Sequence, residues 1–219
     1  TFYPGNAAEL AVAVRECLAG TAAPVAPAAS PKALIVPHAG YVYSGPIAAG
    51  AYARLASLRS TIRRVVILGP THRVAVRGLA LPSARAFATP LGEVEVDREA
   101  VATLAGLRQV VVSDSAHALE HSLEVQLPFL HRFRPDVRIV PVALGRLSLE
   151  ECREIGENVA DSIAEDPERP LLVASSDMSH YVPDAVARKK DRLAIDRMLA
   201  LDPEGLFRIV RTERISIGS

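Results

Sequence analysis

Six histidines punctuate the sequence, and five of them follow a run that reads as a buried strand. Ala33-Leu34-Ile35-Val36 leads into Pro37-His38, and Val65-Val66-Ile67-Leu68 leads through Gly69-Pro70-Thr71 to His72. Val110-Val111-Val112 precedes His117, with Glu120-His121 just beyond. Leu171-Leu172-Val173-Ala174 runs into Ser175-Ser176-Asp177-Met178-Ser179-His180. A residue just past a strand end lies at the sheet edge where open α/β sheets hold their ligands. Neutral imidazole is the commonest transition-metal ligand and the usual general base near neutral pH. These loops are therefore expected to converge on one His-rich site. His38 and His72, each behind a rigid proline (Pro37, Pro70), are the expected metal pair. A catalytic iron or zinc site takes a third protein ligand and leaves a position open. Glu120, Glu124 and Asp177 are the charged candidates nearby. His180 has the place of an acid/base, with Asp177 to orient it. His117, in a Ser/Asp-rich loop, has a solvated structural role as its alternative. His131, in Leu130-His131-Arg132 near a helix end, belongs outside the site, where a helix dipole favours it.

The elements that position these residues read as an alternation of strands and helices. Residues 7–19 form an amphipathic helix capped by Asn6, and residues 21–31 an Ala/Pro-rich surface loop. Ser44-Gly45-Pro46 opens a helix to about residue 58, with Pro46 in the first turn. Shorter strands are expected at 76–82 and 92–96, with Thr89-Pro90-Leu91-Gly92 as a turn. Asp97 caps a short helix, and residues 122–133 are helical, with Pro128 a kink or the true start. Ser148-Leu149-Glu150-Glu151 fits a capping box, and Asp202-Pro203 starts the last helix after one over 184–201. The expected fold is α/β and three-layered: a central mostly parallel or mixed sheet with helices on both faces. Parallel strands are expected at 33–36, 64–68, 110–112, 138–143 and 171–174.

Composition narrows the function classes. The 219 residues suit one domain with a sizeable core, 49% of them hydrophobic. Acidic and basic residues balance at 25 each, and no basic stripe points to nucleic acid. The two cysteines, Cys17 and Cys152, lie far apart in helical segments, which fits a reducing, cytoplasmic setting. No signal-peptide pattern and no run approaching the roughly 20 apolar residues of a membrane span is present. The phosphate-cradling glycine motifs and the G-x-S-x-G elbow are also absent, which argues against nucleotide chemistry and a serine nucleophile at Ser175-Ser176-Asp177.

Four segments in order carry a resemblance: Pro37-His38-Ala39-Gly40-Tyr41-Val42-Tyr43-Ser44-Gly45, Leu68-Gly69-Pro70-Thr71-His72, Glu120-His121-Ser122-Leu123-Glu124-Val125-Gln126-Leu127-Pro128 and Ser175-Ser176-Asp177-Met178-Ser179-His180-Tyr181. The chain is similar to the Memo family, whose prokaryotic members are called protein B of the AmmeMemoRadiSam system. The resemblance covers nearly the whole chain. It implies a fold like the LigB-type class III extradiol dioxygenases, non-haem iron enzymes that open catechol rings. By that similarity His38 and His72 match metal ligands, His180 the acid/base, and His121 a further pocket histidine. The family's cysteine, which completes the metal site in a Cys-Gly after the Asp-Pro helix, has no counterpart here. Ile215-Ser216-Ile217 runs straight into Gly218, and the family's last strand and helix are not in the sequence. The implied function is metal-binding with a dioxygenase-like pocket: an iron-dependent oxidoreductase, with zinc or copper as substitutes. The alternatives are a binding or scaffold protein that takes a peptide or small molecule in that pocket, and a metal-assisted hydrolase. A radical SAM protein of the same system is the implied partner.

Overall fold

The computed structural model describes residues 2–21, 30–164, 166 and 168–217. Most of the expected loop at 21–31, and Gly218, lie outside the described residues. Eight strands form one mixed, mostly parallel sheet flanked by helices. Its continuous path uses β1 (Ala33–Val36), β2 (Arg64–Pro70), β3 (Leu79–Leu81), β6 (Val110–Val112), β7 (Arg138–Leu144) and β8 (Leu171–Ser175), in the order β1-β8-β2-β7-β3-β6. A hairpin of β4 (Ala86–Thr89) and β5 (Gly92–Val96) joins it where β5 pairs with β7. The first arm of that hairpin went unread in the sequence, although its turn was legible.

The strands at 33–36, 64–68, 138–143 and 171–174 are parallel, as expected. The strand at 110–112 is not part of that parallel set. β3 runs antiparallel to β7, and β6 pairs parallel to β3, so β6 runs opposite to the other four. Two glycines make the reversal sterically feasible. Gly78 has φ +87°, and a Cβ there would stand 2.2 Å from the Gln109 carbonyl oxygen. A Cβ at Gly145 would stand 1.9 Å from the Val76 carbonyl oxygen. The chain can thus pass close beside the end of β7 and turn back along it. Burial follows position in the sheet. Val65, Val66 and Ile67 of central β2 are all buried, as both faces are covered, whereas edge strand β1 alternates exposed and buried.

Local capping signals hold well. Asn6 accepts from the N–H groups of Ala8 and Glu9 at the start of α1 (Ala7–Ala19). The Ser148/Glu151 box closes reciprocally at 2.7 and 3.2 Å before α7 (Leu149–Ala164). Asp202 accepts from Gly205 at α9 (Pro203–Thr212), after α8 (Asp184–Leu199). Two readings change. Helix α2 (Tyr41–Ala53) begins before Ser44, because Tyr41 N–H donates to the Phe2 carbonyl and Ser44 turns its hydroxyl to the Ala39 carbonyl. Pro46 therefore lies inside α2, forgoing a bond on a turn where Val42 and Tyr43 are exposed. The expected helix over 122–133 is two: α5 (His121–Glu124) and α6 (Leu127–Phe133), with Pro128 in the first turn of α6. Helices α3 (Arg98–Ala105) and α4 (Ser115–Ala118), with a 3-10 turn at Ala56–Leu58 where the helix expected to reach residue 58 has already ended at Ala53, complete the set among the described residues, and no helix there is long and apolar enough to cross a membrane.

Asp97 anchors the end of the sheet opposite the histidines. Its buried carboxylate accepts from Ala100 N–H (3.0 Å) and Arg64 Nε (2.6 Å) and is ion-paired with Arg138 Nη1 at 2.9 Å. Burial pushes this carboxyl up, but the Ala100 N–H and the two guanidiniums outweigh it and hold it below the usual range. Its stabilisation is complete above the unfolded carboxylate value of about 3.9 and is lost as pH falls from there. Asp97→Asn should cost about 3 kcal/mol at neutral pH. In urea titrations the gap between wild type and variant should narrow below about pH 4; a constant gap down to strongly acid pH would contradict this.

Candidate metal centre

Parallel pairing of β1, β8 and β2 sets three loop origins side by side. Val36 is in register with Ser175, and Leu68 with Ala174. His38, Asp177 and His72 each lie two residues past the end of their strand. Glu120 arrives from the connection between α4 and α5, and His121 opens α5. One ring nitrogen from each of His38, His72 and His121 lies within 4.8 Å of the others, a group able to hold a metal ion. The rings of His38 and His72 meet edge-on at 5.3 Å, and those of His72 and His121 stack at 4.4 Å.

The surrounding hydrogen bonds decide which nitrogen is free in His38 and His72. The Ser175 hydroxyl donates to the Ser122 carbonyl (2.5 Å), and so spends its only proton. It accepts from Gln126 Nε2 (2.9 Å), whose other proton goes to the Pro37 carbonyl (3.0 Å) while Tyr52 occupies the amide oxygen. Towards His38 Nδ1, 3.0 Å away, Ser175 can only accept. His38 therefore carries its proton on Nδ1 and keeps a lone pair on Nε2. Glu120 does the same for His72: its Oε1 accepts from Nδ1 at 2.8 Å, and its Oε2 from the His72 backbone N–H. His121 Nδ1 stands 3.5 Å from the same Oε1 and makes no hydrogen bond. A carboxylate or hydroxyl that fixes the tautomer of a ligating histidine is the usual outer support of a metal site.

Burial disfavours the charged forms of His38 and His121. Burial pushes His38 down from the ordinary 6.5 to about 4, against the pull of Asp177, with His72 and His121 adding to the fall. His121 is lowered by burial and then by His72, with Glu120 opposing. Burial pushes Glu120 up, but the Ser122 N–H and the His72 ring and backbone N–H prevail and keep it ionised. Among the described residues neither Glu120 nor Asp177 has an Arg or Lys partner; the basic groups within ion-pair distance of them are imidazoles. An ionised Glu120 thus stands beside rings that burial disfavours charging, and a divalent ion would balance its charge.

The other expected residues are placed as follows. Asp177 Oδ1 accepts the backbone N–H groups of His38 (2.6 Å) and Ala39 (3.1 Å). Its Oδ2 faces His38 Nε2 at 3.8 Å and His180 Nε2 at 3.6 Å. His180 stands beside Asp177 but outside the three-ring group, held by Ser216, whose carbonyl takes its Nδ1 (3.1 Å) and whose hydroxyl takes its backbone N–H (2.8 Å). Glu124 points away to accept from Tyr3. His117 is not at the cluster: it is buried with Nε2 on the Ala80 carbonyl and Phe87 edge-on to its ring. His131 packs by the β4–β5 turn, near Gly92. Cys152 is exposed on α7 and Cys17 lies beside Gly45, so neither serves the site. The sequence reading paired His38 with His72 as metal ligands and gave His121 only a pocket role; the structure brings all three rings together, on supports that the sequence did not single out. Ser175 and Gln126 act only through partners distant in sequence, and Glu120 reads from sequence as a ligand rather than the holder of His72.

A mixed α/β sheet with imidazoles gathered at its parallel strand ends defines the class. The profile described as Memo-like protein matches residues 1–218, and the chain belongs to that family. It is 39% identical to a MEMO1 family protein of Methanopyrus kandleri, over 99% of this chain and 79% of the relative. It is 41% identical to one of Pyrobaculum aerophilum, over 84% of this chain and 65% of the relative. A third, from Aquifex aeolicus, is 40% identical over 81% of this chain and 64% of the relative. The chain thus spans 64% to 79% of the length of these relatives.

Because the folded His38 titrates below the unfolded value, acid destabilises the metal-free protein. The contribution is complete above 6.5 and is lost as pH falls towards about 4. Urea midpoints of His38→Gln, compared with wild type across that window, should converge as the pH falls; parallel curves would show that His38 titrates normally.

Proposed function

We propose that the chain binds one divalent transition-metal ion through His38, His72 and His121, iron being the cellular species, with zinc or copper as competent substitutes. The observation that carries this reading is the convergence of three imidazoles, two of them with the tautomer set by Ser175 and Glu120. When bound, such an ion supplies Lewis acidity and, as iron, one-electron chemistry with oxygen. Membership of the Memo family, with its likeness to extradiol dioxygenases, supports oxidation of a catechol-like small molecule. His180 is the proton-transfer residue. Its Nδ1–H is committed to Ser216, so Nε2 is the working atom, and Asp177 Oδ2 is the carboxylate facing it. A second reading, metal-assisted hydrolysis, is favoured by the donor set itself: three imidazoles without a carboxylate is a set used by catalytic zinc.

The test is anaerobic loading with ferrous iron, metal analysis, and then oxygen uptake with a panel of catechols beside ester hydrolysis by the zinc-loaded protein. One metal per chain is expected, with loss of binding in His38→Ala and in His72→Ala; stoichiometric metal in the double variant would refute the assignment. His180→Ala should lower turnover by about two to four orders of magnitude while metal binding survives. Loss of metal in that variant would make His180 a ligand. Metal binding without either activity would leave the pocket as a binding site for a peptide or small molecule.

A further inference from the structure

His38 and His72 are each held by a hydrogen bond to Nδ1, but His121 is not. Its Nδ1 is buried and has no hydrogen-bond partner, since Glu120 Oε1 is 3.5 Å away and already serves His72 and Ser122. Something else must set the angle of that ring. The Phe2 ring lies flat on it, with centroids 4.0 Å apart and planes within 9°. His121 in turn stacks on His72 at 4.4 Å, so Phe2, His121 and His72 form a three-ring stack with Phe2 outermost. Phe2 is itself fixed from both sides. Its carbonyl accepts the Tyr41 N–H at 2.8 Å, at the start of α2, and the next residue, Tyr3, donates its hydroxyl to Glu124 on the same short helix as His121. The Phe2-Tyr3 dipeptide thus straps α2 to α5 across the histidine cluster.

We propose that Phe2 is the positioning residue of the third imidazole, fixing His121 by ring stacking where His38 and His72 are fixed by hydrogen bonds. This rests on the metal role given above to His121. A stacked ring restrains tilt but leaves rotation in the plane free, so His121 keeps a freedom that His38 and His72 lack. An aliphatic side chain of similar volume fills the space without imposing the plane.

The test uses the full chain with Phe2→Leu and Phe2→Tyr. In copper-loaded protein, the nitrogen hyperfine pattern in electron paramagnetic resonance should show three imidazoles in wild type and Phe2→Tyr, and two in Phe2→Leu. Affinity in Phe2→Leu should fall about tenfold, the scale of losing an outer support of a metal ligand. In the metal-free protein, the His121 ring protons should be shifted upfield by the Phe2 ring current in wild type and Phe2→Tyr, and return in Phe2→Leu. Three nitrogens and unchanged affinity in Phe2→Leu, or His121 protons without an upfield shift in wild type, would overturn the proposal. If wild type binds no copper while the ring shift is present, the metal reading fails and the positioning role stands.

Discussion

A hydroxyl has one proton, and at Ser175 it goes to the Ser122 carbonyl. Much of the site follows from that. Gln126 supplies a second fixed donor to the same oxygen, and its amide cannot flip because the Pro37 carbonyl needs a donor and Tyr52 meets the amide oxygen. The remaining face of Ser175 must accept, so His38 must donate from Nδ1. Every member of this network is buried or half-buried, and a wrong proton position would leave two lone pairs facing each other out of water, a cost of about 1–3 kcal/mol. The tautomer of a histidine at a loop start is thus decided by the end of a neighbouring strand and by a connection beyond a third. That coupling requires β1 and β8 to be parallel and in the register seen here.

Glu120 extends the same logic with charge. A carboxylate at 3% exposure without an Arg or Lys partner is costly unless hydrogen bonds and a cation compensate it. The hydrogen bonds come from Ser122, from the His72 ring and from the His72 backbone. The cation is what neutral imidazoles cannot provide at neutral pH, and burial keeps His38 neutral. Protonating the rings would balance the charge in acid, whereas a divalent ion balances it at neutral pH.

The legible parts of the sequence were those whose physics is local. Asn6, Asp97, Ser148 with Glu151, and Asp202 each cap a helix within three residues, and each was readable. The buried strands and the histidines behind them were readable because a strand-to-loop transition is also a local signal. What escaped depends on distant partners. The reversal of β3 turns on how closely Gly78 approaches Gln109 and Gly145 approaches Val76, which no local period records. It carried β6 out of the parallel set. The early start of α2 rests on the Phe2 carbonyl, a partner far from Tyr41 in sequence. His121 was legible as a pocket residue, but its place beside His38 and His72 depends on how the α4–α5 connection crosses the strand ends.

The central claim is that the folded, metal-free chain presents His38 and His72 with the proton on Nδ1 and the lone pair on Nε2. Long-range proton–nitrogen correlation spectra of the histidine side chains, recorded on metal-free protein near neutral pH, read this directly. Both rings should show a protonated Nδ1 and an unprotonated Nε2, and His38 should revert to a mixture in Ser175→Ala. A protonated Nε2 on either ring in the wild type would contradict the account.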